Sequence, residues 1–297
     1  MFGFSKTLAG IDIGTKVLRA ARVRVGAGGG APSIEGYAER PLPEGILLPS
    51  YTRENIADMK RFQDLVRLTL GTAGINSGDI SLSIPDQVVK VSFLEAKGIP
   101  KNRNEVLKFI KWKSKRSLPY DPENAKIDYQ LMGDTAMAVF IKDDIVSNYE
   151  EALRSMSFRP KSVSTPSLNL FNLFSGKFGG HKEFALISVM EEHFAVIIVR
   201  NDCIDFYRSK EVGYTDDRLM QEINSSVLFY AAENPDVTLK TAFLYTGIGD
   251  SEVLVAHLSD STGMKVETLR LAEIIKGPRG VDIEPYGPAV AAALGSK

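Results

Sequence analysis

The 297-residue chain has little thiol or imidazole chemistry, since it contains one cysteine and three histidines. A single thiol, Cys203, excludes an internal disulfide. The histidines (His181, His193 and His257) are far apart in the sequence, and the one cysteine completes no spacing that is typical of a zinc site. We therefore predict neither a disulfide framework nor a cysteine–histidine metal centre, and we assign no role to the histidines.

The chain also lacks an excess of charge and long apolar runs. It has 36 Lys and Arg against 37 Asp and Glu, so no global field would attract nucleic acid. Its longest apolar run, residues 194–199, is far too short to cross a bilayer, and residues 1–6 have no apolar core of signal-peptide length. We expect a cytoplasmic protein that has no nucleic-acid partner and meets the membrane only through other proteins.

The sequence does contain two series of elements in the same order, each with three strands, a helix and a strand. In the first series these elements occupy residues 8–13, 16–25, 33–40, 55–72 and 80–84. In the second series they occupy residues 184–190, 193–200, 203–211, 216–233 and 241–245. Between them lies a predicted α+β unit, with strands at 88–95, 126–132, 137–141 and 159–164 and helices at 104–117 and 143–156. A helix at 251–262, a strand at 264–269 and an Ala-rich helix at 286–294 complete the pattern.

Such a duplication is the organisation of the actin, sugar-kinase and heat-shock ATPase fold. We predict an α/β, actin-like (ribonuclease H-like) fold with two domains, residues 1–175 and 176–297. The unit at residues 88–164 would be an α+β subdomain inserted into the first domain. The C-terminal helix at 286–294 would pack back toward that first domain.

Three stretches carry a family resemblance. Residues 8–20, LAGIDIGTKVLRA, resemble the first phosphate loop of actin-like ATPases. Residues 109–133, with the helix stop SLPY and the strand IDYQLMG, resemble the inserted subdomain of the PilM family of type IV pilus assembly proteins. Residues 245–250 resemble an adenosine-contacting turn, and residues 287–291 resemble the closing helix of the fold.

The order of these stretches covers nearly the whole chain, so the sequence resembles PilM first and the cytoplasmic domain of type II secretion L proteins second. The L proteins continue into a membrane span and a periplasmic domain. The sequence ends at Lys297 with neither, which favours the PilM family.

The resemblance implies a scaffold at the inner face of the inner membrane. It would bind the N-terminal cytoplasmic peptide of the membrane protein PilN as an extended chain, in the groove between the first core and the inserted subdomain. It would thereby link the inner-membrane pilus complex to the pilus motor ATPase. The alternatives are the equivalent component of a type II secretion-like system, an active actin-like ATPase or sugar kinase, and a divisome protein similar to FtsA. The FtsA alternative needs a C-terminal amphipathic helix, for which the sequence ends too soon.

The resemblance also implies ATP and Mg²⁺ as cofactors. Asp12 would hold Mg²⁺ through water, as is usual for this cation, and Gly14 would let the backbone approach phosphate. Thr15 and Lys16 would supply a hydroxyl donor and a positive charge. Gly247 and Gly249 would contact the adenosine. The alternative is a strand–turn–strand that needs Gly14 only for its turn.

The second phosphate loop departs from the family pattern. Nucleotide-binding relatives carry Asp-Ile-Gly where residues 187–193 read ISVMEEH, so Ser188 replaces the carboxylate and no glycine follows. Glu191 and Glu192 would put negative charge beside phosphates, and the carboxylate that would orient water is missing. We predict no catalytic residues for ATP hydrolysis and weak or vestigial nucleotide binding. The alternative is that Glu191 and Glu192 form an exposed hairpin tip.

The predicted helix at residues 104–117 is unusually basic, with Lys108, Lys111, Lys113, Lys115 and Arg116. Two interpretations are open: attraction to acidic lipid headgroups or an acidic partner, or a solvated face whose late basic residues complement the helix dipole. The second is favoured. Trp112 is predicted to be a core residue, because its spacing matches that of neighbouring apolar positions.

Overall fold

The structure is a computed structural model that describes residues 5–26, 30–99, 102–214, 217–248 and 251–295. Within these ranges the chain forms β-strands and α-helices in alternating groups. The strands are β1 (Lys6–Ile13), β2 (Val17–Val25), β3 (Ser33–Pro41), β4 (Gly78–Ser83), β5 (Lys90–Glu95), β6 (Ala125–Met132), β7 (Thr135–Lys142), β8 (Phe158–Ser164), β9 (Glu183–Val189), β10 (Phe194–Arg200), β11 (Cys203–Lys210), β12 (Thr241–Thr246) and β13 (Lys265–Thr268). The helices are α1 (Met59–Thr72), α2 (Arg103–Ser114), α3 (Asp143–Arg154), α4 (Pro166–Phe174), α5 (Leu219–Glu233), α6 (Glu252–Thr262) and α7 (Gly287–Gly295).

Two five-stranded sheets share one topology. The first has the strand order β3-β2-β1-β4-β8, and the second has the order β11-β10-β9-β12-β13. In each sheet an antiparallel meander of three strands is extended by two parallel strands. Parallel pairing requires a crossover, and helices supply it in both halves. The repeated order predicted from the sequence is therefore confirmed.

A third, smaller sheet has the order β5-β7-β6 and is covered on one face by α2. Val106 and Ile110 of α2 are buried against Ala138 and Phe140 of β7. Helix α3 instead belongs to the core of the first sheet, and β8 pairs in parallel with β4. The unit predicted at residues 88–164 thus does not form one sandwich. Its last helix packs into the core of the first sheet, and its last strand extends that sheet.

Helix α2 ends at Ser114 rather than at residue 117, and α1 and α4 differ more from the sequence prediction. Helix α1 begins at Met59 rather than at residue 55, because Asp58 caps it by accepting a hydrogen bond from the Arg61 N–H at 3.0 Å. Asn55 stays in the loop, where it is buried and accepts a hydrogen bond from the Tyr149 hydroxyl. Helix α4 is missing from the prediction. Its sequence, PSLNLFNLF, is apolar on several sides, so it carries no clear helical period.

Helix α7 packs on β1 and β2 of the first sheet. A Cβ atom added at Gly10 would overlap the carbonyl oxygen of Ala289 and lie 2.8 Å from the Ala293 nitrogen. Glycine at this position lets the helix backbone approach the strand, and α7 is buried from Gly287 to Ala293 as a result. None of the helices in the described ranges is long and apolar enough to cross a bilayer.

Candidate functional site

The β1–β2 turn of the first sheet faces the β9–β10 turn of the second sheet. Gly14, in the first of these turns, donates its N–H to the Val17 carbonyl at 3.0 Å. A Cβ atom on Gly14 would come within 2.7 Å of that same carbonyl oxygen. The turn itself therefore requires glycine, whatever ligand the cleft accepts.

Glu192 of the β9–β10 turn bonds the residues that the sequence assigned to phosphate. Lys16 Nζ lies 2.6 Å from Glu192 Oε1, and the Thr15 hydroxyl donates a hydrogen bond to Oε2. The Glu192 side chain is only 13% exposed. The hydrogen bond and the negative charge of Glu192 raise the pKa of Lys16 above its ordinary value. The hydroxyl donor and the ammonium of the first phosphate loop are thus bonded to a carboxylate of the chain itself.

Glu191 makes a second contact across the cleft, to Arg19 of β2. The Arg19 side chain is buried, with its Nε 2.7 Å from Glu39 Oε2 and its Nη2 2.7 Å from Glu191 Oε1. Burial alone would lower the pKa of Arg19, but Glu191 and Glu39 outweigh burial and raise that pKa. The exposed-tip alternative is therefore wrong, since both glutamates of the tip bond to the first half of the chain.

Asp12, on β1, is buried beside Arg19 and Ser83, its neighbours on β2 and β4. Burial raises the pKa of the Asp12 carboxyl, against the opposing effects of the Ser83 hydroxyl and the Arg19 charge. Within the described residues, Asp12 Oδ1 has no hydrogen-bond partner. A buried, unpaired carboxylate oxygen is suited to a water molecule or to a hydrated cation.

Mg-ATP as a whole does not fit this arrangement. The Asp12 oxygen suits the hydrated cation, but the Thr15 and Lys16 donors that would meet phosphate are bonded to Glu192, and Glu191 pairs with the neighbouring Arg19. Phosphate placed there would lie beside two carboxylates, which repel it. In the part of the chain that the structure describes, no group of three or more His, Cys, Asp or Glu side chains could hold a metal ion.

Gly247, predicted to contact adenosine, is covered by a side chain of the β9–β10 turn. A Cβ atom at Gly247 would lie 2.6 Å from Met190 Cε, and the Gly247 N–H donates to the Val189 carbonyl at 3.0 Å. Met190 is buried. The turn after β12 is therefore packed against the chain itself. The other predicted adenosine contact, Gly249, lies outside the described residues.

A buried polar cluster centred on Asp86 was missed by the sequence analysis. Asp86 Oδ1 accepts hydrogen bonds from the Ser167 hydroxyl at 2.6 Å and the Tyr207 hydroxyl at 2.9 Å. His193 Nε2 lies 3.5 Å from Asp86 Oδ2. Burial and the Asp86 charge raise the pKa of Tyr207 well above its ordinary value. The only signal in the sequence was an aspartate in the short segment between the predicted strands at residues 80–84 and 88–95.

The two clusters together hold the cleft closed. The first joins the β1–β2 turn and Arg19 to Glu191 and Glu192, and the second joins Asp86 to His193 and to Tyr207 of β11. Ser188, at the place of the expected carboxylate, is buried on β9. The arrangement pairs charges and bridges the two large sheets, and it presents no carboxylate at position 188 to orient water.

Comparison with known proteins identifies solved structures with a similar fold. A scan against protein-family models found no match, and a search of curated proteins found none. A search of solved structures found a PilM–PilN type IV pilus biogenesis complex, with a TM-score of 0.78 and 16% identity over 97% of this chain and 96% of that chain. A Bacteroides thetaiotaomicron protein described as having an actin-like ATPase fold and unknown function has a TM-score of 0.56 at 10% identity, over 96% of this chain and 95% of that one.

The cytoplasmic domain of EpsL, an inner-membrane component of the type II secretion system of Vibrio cholerae, is also similar. Its TM-score is 0.53 at 10% identity, over 98% of this chain and 96% of that chain. These similarities show that the chain has the actin-like fold, as the sequence predicts. The structural similarity also follows the predicted order, with PilM ahead of the type II secretion protein.

Proposed function

We propose that the chain is a cytoplasmic assembly scaffold of a type IV pilus machine, which binds the N-terminal cytoplasmic peptide of a PilN-like membrane protein. The observation that carries this proposal is the similarity of 97% of the chain, at a TM-score of 0.78, to a PilM–PilN complex. Through that peptide the chain would connect the inner-membrane pilus complex to the pilus motor ATPase at the inner face of the inner membrane.

A groove between the first and third sheets supports the binding of an extended peptide. Its volume is about 340 Å³, and residues of both β6 and β8 line it. Each of these strands is the last strand of its sheet. The outer edge of a terminal strand presents backbone N–H and C=O groups that pair with an added strand. A peptide in this groove could therefore bond to backbone while its side chains enter pockets on alternate sides.

The side chains of the groove suit a peptide with alternating character. Val139, Val163 and Leu168 supply partly exposed apolar surface. The groove also contains charged side chains of both signs, namely Lys126, Asp128, Glu150 and Lys161. Apolar residues of the peptide would cover the first set, and polar residues would meet the second.

Replacing Val139 by glutamate should weaken peptide binding at least tenfold, or about 1.4 kcal/mol. The new carboxylate would lie in the apolar part of the groove, where a bound peptide would bury it without a partner. Calorimetric titration with the N-terminal cytoplasmic peptide of the PilN-like protein measures the change. Wild-type protein is expected to bind at micromolar concentration or tighter.

Val255→Glu is the matched control, because Val255 is also a partly exposed valine but lies on α6. It should bind the peptide like wild type. Equal binding by Val139→Glu would remove the groove from the proposal. Failure of the folded wild-type protein to bind would reject the PilN-like partner.

The similarity to EpsL favours one second candidate, a component of a type II secretion-like system. Binding only of the corresponding secretion-system peptide would select it.

We also propose that the closed cleft does not turn over ATP and binds it weakly. Glu191 and Glu192 hold the donors that phosphate would need. The double variant Glu191→Gln, Glu192→Gln should therefore bind Mg-ATP at least tenfold more tightly than wild type, since it removes two charges that repel phosphate. Titration calorimetry with Mg-ATP gives both affinities.

Glu39→Gln is the control for this experiment, because Glu39 bonds the same guanidinium as Glu191 but sits on β3. It should leave the weak binding unchanged. A double variant with no gain over wild type would show that the glutamates do not block the cleft. Steady phosphate release by wild type that Asp12→Ala abolishes would contradict the absence of hydrolysis.

A further inference from the structure

The exposed face of α2 is unusual for a helix that packs on a sheet. Val106, Ile110 and Ser114 form its buried stripe, four residues apart. Trp112 lies two residues from both Ile110 and Ser114, so it points away from the sheet. Its exposed fraction is 69%, the largest among the exposed large apolar side chains of the described residues. The prediction of Trp112 as a core residue is therefore wrong.

Apolar and basic groups surround this tryptophan. The Phe109 ring lies beside the indole, with 6.2 Å between the ring centroids. Lys108 is one turn before Trp112 and is exposed, and Lys115 and Arg116 are exposed just after the helix. The result is an aromatic pair with cations on both sides along the chain.

The charge of this segment contrasts with that of the chain. Residues 102–116 contain six Lys or Arg and one acid, Glu105, a net of +5, whereas the whole chain has a formal net charge of −1. One of the six, Lys111, is paired with Glu123 at 2.6 Å. A second, Lys113, lies over the Phe109 ring at 5.9 Å. Lys113 is itself exposed, and Lys108, Lys115 and Arg116 are three further exposed cations within four residues of the tryptophan.

We propose that this face of α2, which consists of Lys108, Phe109, Trp112, Lys115 and Arg116, binds the surface of an anionic lipid bilayer. Indole rings prefer the bilayer interface, where the ring is apolar and the N–H meets water or headgroups. Lysine stems extend over apolar surface while their ammonium groups reach anionic headgroups. A basic cluster around an exposed tryptophan meets both requirements. The binding is independent of the peptide groove and goes beyond the scaffold role.

The chain offers a direct probe of this contact, because Trp112 is its only tryptophan. Vesicles of phosphatidylcholine with about 30 mol % phosphatidylglycerol should shift the tryptophan emission of the full chain to shorter wavelength and sediment the protein. Pure phosphatidylcholine vesicles should do neither. Salt at about 0.5 M should release the protein, since it screens the cations.

A charge-matched pair of variants tests the assignment. The triple variant Lys108→Gln, Lys115→Gln, Arg116→Gln retains the probe and should lower vesicle affinity about a hundredfold, from roughly fivefold per cation. The control triple Lys60→Gln, Arg67→Gln, Lys240→Gln removes the same charge from exposed positions elsewhere and should bind like wild type.

The proposal would be overturned if wild type gave no emission shift and no sedimentation with anionic vesicles, or if the two triple variants bound equally. A shift produced by polyglutamate but not by vesicles would also overturn it, and would assign the face to an acidic polypeptide. Peptide binding in the groove does not depend on either outcome, so the two proposals fail separately.

Discussion

Alanine at position 10 is expected to lower the free energy of unfolding by about 3 kcal/mol or more. The added methyl group would overlap the Ala289 carbonyl oxygen and crowd the Ala293 nitrogen, both of which belong to the backbone of α7. A flexible side chain could rotate away, but a helix backbone must move as a unit. Movement of α7 would uncover the apolar surface of β1 and β2 that it buries.

Urea unfolding followed by circular dichroism measures this loss. Gly176→Ala is the control, since Gly176 has no heavy atom within 4 Å of the added Cβ, and its unfolding free energy should stay within about 0.5 kcal/mol of wild type. If Gly10→Ala unfolds at the wild-type urea concentration, α7 does not pack against β1 as closely as described.

Replacement of Asp86 by alanine should cost about 2–4 kcal/mol of stability. The change leaves the buried hydroxyls of Ser167 and Tyr207 without their acceptor, at about 1–3 kcal/mol for each unsatisfied group, although their mutual contact at 3.0 Å recovers part of that cost. Asp86→Asn should cost less, because the amide oxygen can still accept both hydrogen bonds. Thermal or urea unfolding of the two variants gives the comparison.

The control for Asp86 is an aspartate that is equally well paired but exposed. Asp79 lies 2.7 Å from Arg159 Nε and 3.2 Å from Lys161 Nζ, with 47% of its side chain exposed. Asp79→Ala should cost no more than about 1 kcal/mol, as is usual for surface ion pairs. Similar losses for the two alanine variants would show that the Asp86 cluster does not stabilise the closed cleft.

Much of the fold could be predicted from the sequence, because strand pattern and turn residues are local signals. The hairpin strands β9 and β10 are nearly continuous apolar runs bounded by polar residues, and their prediction holds within a residue or so. The place of β8 could not be predicted in the same way. Its short pattern fits either sheet, and only its pairing with β4 assigns it to the first.

The candidate site, like the fold, could be predicted only in part. The resemblance assigned Asp12, Thr15 and Lys16 to one phosphate loop. The absence of the expected carboxylate at Ser188 can be read directly from the sequence. The contacts of Glu191 and Glu192 could not be predicted, because they join residues more than 170 positions apart. No local pattern distinguishes a glutamate that bonds across a cleft from one that faces water. The division into two domains, residues 1–175 and 176–297, stays a prediction.

Trp112 lies on the side of α2 opposite its buried stripe. The buried stripe of α2 runs through residues 106, 110 and 114, and a residue midway between two of these positions faces the opposite side. The spacing of Trp112 from neighbouring apolar positions suggested burial, but its angular position relative to this stripe excludes it. The exposed ring is the centre of the lipid-binding face proposed for α2.

The contact between β1 and α7 has a consequence for biosynthesis. The ribosome synthesises β1 (Lys6–Ile13) long before α7 (Gly287–Gly295). Until α7 emerges, the apolar surface that includes Leu8, Ala21 and Val23 has no cover. Apolar surface that is exposed during synthesis makes a chain prone to aggregation, and chaperones act on such surface. The first sheet thus reaches its final packing only after translation has passed α7, and a chaperone that shields nascent apolar surface would protect it in the interval.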